Sequence, residues 1–156
     1  MNDHKSRHSW AYWSIPILYL TMMILAWHYH PQVGRPGIIL NHGIAFGLLS
    51  HTPSGILILY TLGVMVIMTF FLVRWPFLRL PLSWLVTAAA ANWTDRIIWG
   101  GVVDYWQIRP YPYIFNLADV ILRLSSLLLI IEALRHSQKQ DSTSRKSAAS
   151  SRSLKP

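Results

Sequence analysis

The chain has 156 residues, 53% of them hydrophobic and 13% charged, with a mean hydropathy of +0.32, which is too apolar for an ordinary soluble domain. Fourteen Lys and Arg against six Asp and Glu leave a formal charge of +8; such a balance suits a nucleic-acid binder, but the apolar residues fall in membrane-length blocks, which argues against that class. With no cysteine, disulfides, thiolate nucleophiles and cysteine-based zinc sites are excluded as well.

In chain order, the first apolar block runs from about Trp10 to Trp27 behind Lys5 and Arg7. No small-x-small cleavage pattern follows it, so it reads as a full span rather than a signal peptide. Gly55 to Val73 carries no charge and is long enough to cross a hydrocarbon core of about 30 Å. A shorter block, about Leu80 to Trp93, contains the run Ala88 to Ala91, which lets neighbouring helices approach closely. The last, about Tyr113 to Leu134, is long enough to span but contains Asp119 and Arg123. The expected fold is all-α: an integral membrane protein with four transmembrane helices and a small outer-face loop region, occupying residues 1–135. From about His136 the chain is Ser, Lys, Arg, Gln and Ala with almost nothing to bury. Residues 136–156 are therefore read as a basic, disordered cytoplasmic tail, which anionic inner-leaflet lipid would attract.

Four spans put both termini on one side. Ten of the fourteen basic residues then share that side: Lys5, Arg7, Arg74, Arg79, Arg135, Lys139, Arg145, Lys146, Arg152 and Lys155. Arg35, Arg96 and Arg109 fall opposite, and Arg123 lies within a span. The positive-inside rule makes the termini cytoplasmic. Trp10, Trp27, Trp75, Trp93, Trp99 and Trp106 fall near span ends, as in an interfacial aromatic belt, while Trp13 and Trp84 sit deeper.

Three of the six acids, Asp95, Asp104 and Asp119, lie at or near the outer ends of the third and fourth spans, with Asn92 and Asn116 close by in sequence. An ionisable group near membrane depth is costly unless it is used or paired. Two carboxyls brought together cannot both ionise easily, so one holds a proton while the other activates water. The structural alternative pairs Asp95 with Arg96 or Arg109, and Asp119 with Arg123 at i, i+4; spacing alone leaves both readings open. His28, His30, His42 and His51 share the first outer loop, but their spacing is irregular and no His-Glu-x-x-His helix is present. No metal and no other cofactor is expected.

Three strings carry a resemblance, in order along the chain: Asn41-His42-Gly43-Ile44-Ala45-Phe46-Gly47, then Asn92-Trp93-Thr94-Asp95-Arg96 with Gly101-Val102-Val103-Asp104, then Phe115-Asn116-Leu117-Ala118-Asp119. They resemble the Asn-x-Gly-Ala-Ala-Phe-Gly, Asn-x-x-Asp-Arg with Val-Val-Asp, and Phe-Asn-x-Ala-Asp motifs of lipoprotein signal peptidase, the signal peptidase II family of four-span aspartyl proteases. The resemblance implies Asp104 and Asp119 as catalytic dyad, Asn41, Gly43, Asn92, Arg96, Asn116 and Ala118 lining the substrate site, and Asp95 in support. Arg123, a turn beyond Asp119, is expected to favour its ionised form.

The implied reaction cuts diacylglyceryl-modified prolipoproteins just before the lipidated cysteine, at the outer face of the bacterial cytoplasmic (inner) membrane. The implied partners are lipid-modified prolipoprotein substrates and membrane lipids, not nucleic acid, and a monomer is expected. The alternative is an inactive homologue that binds lipidated peptides. Against the family pattern, the first span lacks the usual Asp and Lys, Ala88 to Ala91 replace glycines, and 119 − 104 = 15 residues separate the dyad acids, a short interval.

Overall fold

A computed structural model describes residues 9–44 and 51–153, so Lys5, Arg7, Lys155 and the motif residues Ala45, Phe46 and Gly47 lie outside the described residues. Four long helices dominate: α1 (Ser9–Tyr29), α2 (Ser54–Arg74), α3 (Arg79–Trp99) and α4 (Leu117–Ser153). Short 3-10 turns at His30–Gln32 and Pro76–Leu78 follow α1 and precede α3.

Central to the bundle, α3 packs against α1, α2 and α4. Its alanines make this possible, because side chains no larger than a methyl group let helix axes come close. Ala88 and Ala91 join Met22 of α1 and Ala118 of α4 in one buried cluster, bordered by Leu18, Tyr19, Ile121 and Leu122. The third helix is longer than the sequence reading, running past Trp93 to Trp99. Its polar residues find partners without breaking it: Thr94 Oγ1 donates to the Ala90 carbonyl at 2.8 Å and shares a 3.0 Å hydrogen bond with Tyr19. Gly100 ends it, its φ of 74° closing the helix in the left-handed region that a side chain would disfavour.

The outward faces of the bundle are apolar. Trp13, Ile17 and Ile24 on α1, Leu59, Val66 and Phe70 on α2, and Leu127 and Ile130 on α4 are all exposed. Exposed apolar surface on this scale marks a face that contacts a partner or a membrane. Among the described residues, α2 is the helix whose length and composition alone suffice to cross a membrane.

At one end of the bundle sit two small antiparallel ladders. β1 (Ile39–Asn41) pairs with β2 (Val102–Asp104) in the register Ile39 with Asp104 and Asn41 with Val102. β3 (Trp106–Gln107) pairs with β4 (Ile114–Phe115) around a turn carrying Pro110, after a cis peptide bond, and Pro112. A second buried cluster, Ala26, Val103 and Tyr105 with Tyr29, Leu40 and Trp99 around it, fastens these strands to α1 and α3.

The fourth helix departs from the sequence reading at both ends. It begins at Leu117 rather than near Tyr113, because Asn116 caps it. It also continues to Ser153 where a disordered tail is expected. No glycine or proline interrupts the chain between Leu117 and Ser153, so nothing in the backbone ends the helix at the apolar boundary. Stacking of Phe77 on His136, 4.0 Å between ring centroids, and the 3.2 Å Glu132–Arg135 ion pair support the start of this extension.

Candidate active site

The strands and the ends of α3 and α4 surround a cavity of about 520 Å³. Its lining mixes polar residues, Asn41, Asn92, Arg96, Asp104 and Asp119, with apolar ones, Ile39, Ile44, Ala89 and Leu122.

Asp119 is placed by the local chemistry of a helix start. Its backbone N–H donates to Asn116 Oδ1 at 2.9 Å, and its own Oδ2 accepts from the Asn116 backbone N–H at 3.4 Å. This is the reciprocal capping arrangement of a helix N-terminus, and the sequence Asn-x-x-Asp encodes it. Asp119 Oδ1 remains directed at Asn92, whose Nδ2 lies 3.3 Å away.

Asp104 ends β2 and is 1% exposed. Both its oxygens accept: Oδ2 from Asn41 Nδ2 and Oδ1 from Asn116 Nδ2, each at 2.9 Å. Neither amide is free to turn. Asn41 Oδ1 accepts the Gly43 backbone N–H at 2.9 Å, and Asn116 Oδ1 is committed to Asp119. Burial first, and then the neighbouring Asp119 charge, push the Asp104 carboxyl up to about 7 against the pull of Asn41, Arg96 and Asn116. A carboxyl that retains a proton near neutrality beside a second carboxyl is the arrangement acid–base hydrolysis requires.

Asn116 thus joins the two acids, touching Asp104 through its side chain and Asp119 through its main chain. Its Nδ2 also reaches Asn92 Oδ1 at 3.2 Å. Arg96 crosses behind Asn92, donating through Nη1 to the Asn92 carbonyl at 3.3 Å and through Nη2 to the Gly43 carbonyl. Its charge is felt at both Asp104 and Asp119.

The remaining expected residues are placed differently from one another. Asp95 and Arg96 are read as a supporting pair; they interact electrostatically, although neighbours on a helix point about 100° apart. Asp95 is turned away, its Oδ2 accepting from the Val103 N–H at 3.4 Å, and so braces β2 from behind. Ala118 is buried in the helix core rather than on the cavity wall. Gly43 contributes only backbone atoms. Arg123 lines the cavity a turn beyond Asp119, its guanidinium 5.6 Å from the Phe115 ring centroid.

The histidines scatter: His30 stacks on Trp99, His42 Nδ1 lies 3.1 Å from the Gly100 carbonyl oxygen, and His51 is exposed. Among the described residues no three His, Asp or Glu side chains converge as metal ligands.

Two further residues contribute: Gly101, which the sequence offers as a turn residue ahead of Asp104, and one that sequence reasoning missed. Gly101 lets β1 and β2 meet: a Cβ there would stand 2.9 Å from Leu40 Cγ and 3.1 Å from the Asn41 carbonyl oxygen. Its adjacency to Asp104 through β2 is the available signal. Tyr105 is the other, reading in sequence as one more aromatic.

An apolar-faced helical bundle with a strand cradle and two acids sharing one cavity defines a membrane-embedded enzyme. The fold matches two solved structures described as bacterial membrane enzymes. One covers 83% of this chain and 90% of its own at a TM-score of 0.72 and 21% identity, the other 78% and 92% at 0.58 and 23%. Residues 17–135 match the family model of Signal peptidase (SPase) II, and the chain belongs to that family. Similar proteins named lipoprotein signal peptidase include that of Moorella thermoacetica, 28% identical over 141 residues, 77% of this chain and 93% of the relative. The Pelotomaculum thermopropionicum protein is 34% identical over 111 residues, 69% and 72% of the two chains. The Staphylococcus aureus protein is 32% identical over 109 residues; the match spans 65% of this chain and 66% of that relative.

Proposed function

We propose that the protein is a membrane aspartic endopeptidase that removes signal peptides from prolipoproteins, with Asp104 and Asp119 as its catalytic dyad. The observation that carries the dyad is the single residue Asn116, bonded at once to both acids inside one cavity. Family membership and the shared name of its relatives support the substrate.

In the reaction, one ionised carboxyl takes a proton from water as the water oxygen bonds to the scissile carbonyl carbon. The protonated partner donates to the leaving nitrogen as the carbon–nitrogen bond breaks. The products are the signal peptide's new carboxylate and the free α-amine of the lipidated cysteine. Arg123 biases the pair electrostatically from one turn beyond Asp119. Asn41 and Asn92 hold the carboxyls in register, and Arg96 fixes the segment at Gly43.

The cavity's mixed lining suits such a substrate, since acyl chains need apolar contact and the peptide bond needs water. In this reading α1 to α4 all cross the bacterial inner membrane, the termini are cytoplasmic, and the cavity opens at the outer face. The protein works as a monomer, with membrane lipid around it.

The test is cleavage of a diacylglyceryl-modified prolipoprotein peptide by the purified full-length protein in lipid–detergent micelles. Asp104→Asn and Asp119→Asn are each expected to lower kcat by at least about 10³-fold, while the folded protein is retained. Activity surviving in Asp104→Asn but lost in Asp95→Asn would assign the dyad to a different pair. Substrate binding by the wild type with no cleavage would make the chain a lipopeptide-binding homologue.

A further inference from the structure

Between Asp104 and the start of α4 lies a residue that the proposed chemistry does not use. Tyr105 is 7% exposed, and its ring stacks on Tyr29 of α1 at 4.5 Å between centroids with planes 14° apart. Its backbone N–H donates to the Phe115 carbonyl at 3.2 Å. Its hydroxyl accepts the Leu117 backbone N–H at 3.1 Å.

These two bonds grip the chain on either side of Asn116. Leu117 is the first residue of α4, and its N–H is among those a helix start leaves without an intrahelical partner. The hydroxyl supplies one. Tyr105 directly follows Asp104, and Leu117 stands two residues before Asp119. The phenol is therefore a rigid strut from the end of the strand bearing one acid to the start of the helix bearing the other. Nothing else among the interactions described above joins those two backbone segments with a side chain as stiff: Asn116 spans them with a short amide, and an aromatic ring held by stacking has little freedom to yield.

The hydroxyl also keeps its own hydrogen. Burial pushes the Tyr105 phenol up to about 12, so it is neutral at any working pH. Asp95 Oδ1, buried and without a protein hydrogen-bond partner among the described residues, borders the same small cleft of about 10 Å³ as Tyr105.

We propose that Tyr105 is a positioning residue for the reaction, its hydroxyl setting the separation of Asp104 and Asp119 by tying the end of β2 to the N-terminus of α4. Tyr105 touches neither substrate nor the reacting atoms. It acts through the geometry of the dyad, where a displacement of about 1 Å costs up to 10²-fold in rate. The inference rests on the dyad reading above.

The experiment is Tyr105→Phe in the full chain, which retains the ring and its stacking on Tyr29 while removing the hydroxyl. Cleavage of the same lipidated peptide is followed with substrate titration and across pH. Expected is a fall in kcat of about 5- to 50-fold with KM within about twofold, together with a displaced pH profile, because two acids held at a different separation share their proton differently. Tyr60→Phe, on the exposed face of α2, is expected to match wild type in all three.

Wild-type kcat and pH profile in Tyr105→Phe would overturn the inference. So would a loss of activity that follows only the loss of folded protein, with kcat per folded molecule and pH profile unchanged. Asp104→Asn and Asp119→Asn are run alongside: if either stays active the dyad reading fails, whereas inactive Asn variants beside a normal Tyr105→Phe sink this inference alone.

Discussion

Replacing Asp104 by Asn is expected to reverse the sign of its effect on stability between acid and alkaline pH. Asp104 is buried, and its carboxyl is raised from the ordinary 3.8 to about 7. Below pH 4 the group is protonated both in the fold and in the unfolded chain. Between pH 4 and 7 the folded state holds a proton that the unfolded state has released, so stability falls as pH rises through that window. Above pH 7 the fold bears the whole cost, roughly 4 kcal/mol at about 1.4 kcal/mol per pH unit.

The variant avoids that cost but introduces another. Both oxygens of Asp104 accept from amide groups whose orientation is held by backbone N–H donors, Asn41 by Gly43 and Asn116 by Asp119. The new carboxamide must present its NH₂ to one of them, and a donor facing a donor costs about 1–3 kcal/mol. Asp104→Asn should therefore be less stable than wild type by about 1–3 kcal/mol at pH 4, and more stable by about 1–3 kcal/mol at pH 8. Heat or SDS unfolding in one detergent, at pH steps from 4 to 8, reads this directly. A difference between the two proteins that is constant across pH would refute the reasoning, since it would mean the carboxyl titrates alike in the folded and unfolded chains.

Two further predictions follow from the same site. Because the dyad must hold one proton and burial keeps Asp104 protonated to about pH 7, kcat/KM should fall as pH rises beyond that point; a rate still climbing at pH 9 would contradict it. Gly101→Ala drives a methyl group against Leu40 and the Asn41 carbonyl, so it should destabilise the fold by about 1–3 kcal/mol. It should also lower cleavage at least tenfold by moving Asn41 off Asp104; thermal unfolding and peptide cleavage together check both effects.

Much of the architecture is written in local pattern. The uncharged run that becomes α2, the alanines that let α3 sit at the centre, and the Asn-x-x-Asp that caps α4 and aims Asp119 are each readable because their cause lies within a few residues. The positive charge of the extension beyond His136 is equally plain, but its conformation is not. Polarity indicates only that the segment has little to bury, whereas the absence of a helix breaker lets α4 run on to Ser153.

The residue pattern without the resemblance leaves open which acid shares the cavity with Asp119, and the tertiary structure places Asp104 there. Asp95 and Asp104 are both near in sequence, both carboxylates, both beside polar residues. The choice falls to Asp104 because β2 pairs with β1, across a sequence gap that brings Asn41 to Asp104, while the pitch of α3 turns Asp95 to the far side to hold Val103. Tyr105 belongs to the same category: a hydroxyl that reaches Leu117 twelve residues on is invisible until the strand and helix have docked. Helix and cap are set by neighbours along the chain, but a cavity is set by pairing between distant segments, and the energy of that pairing leaves no periodic trace in sequence.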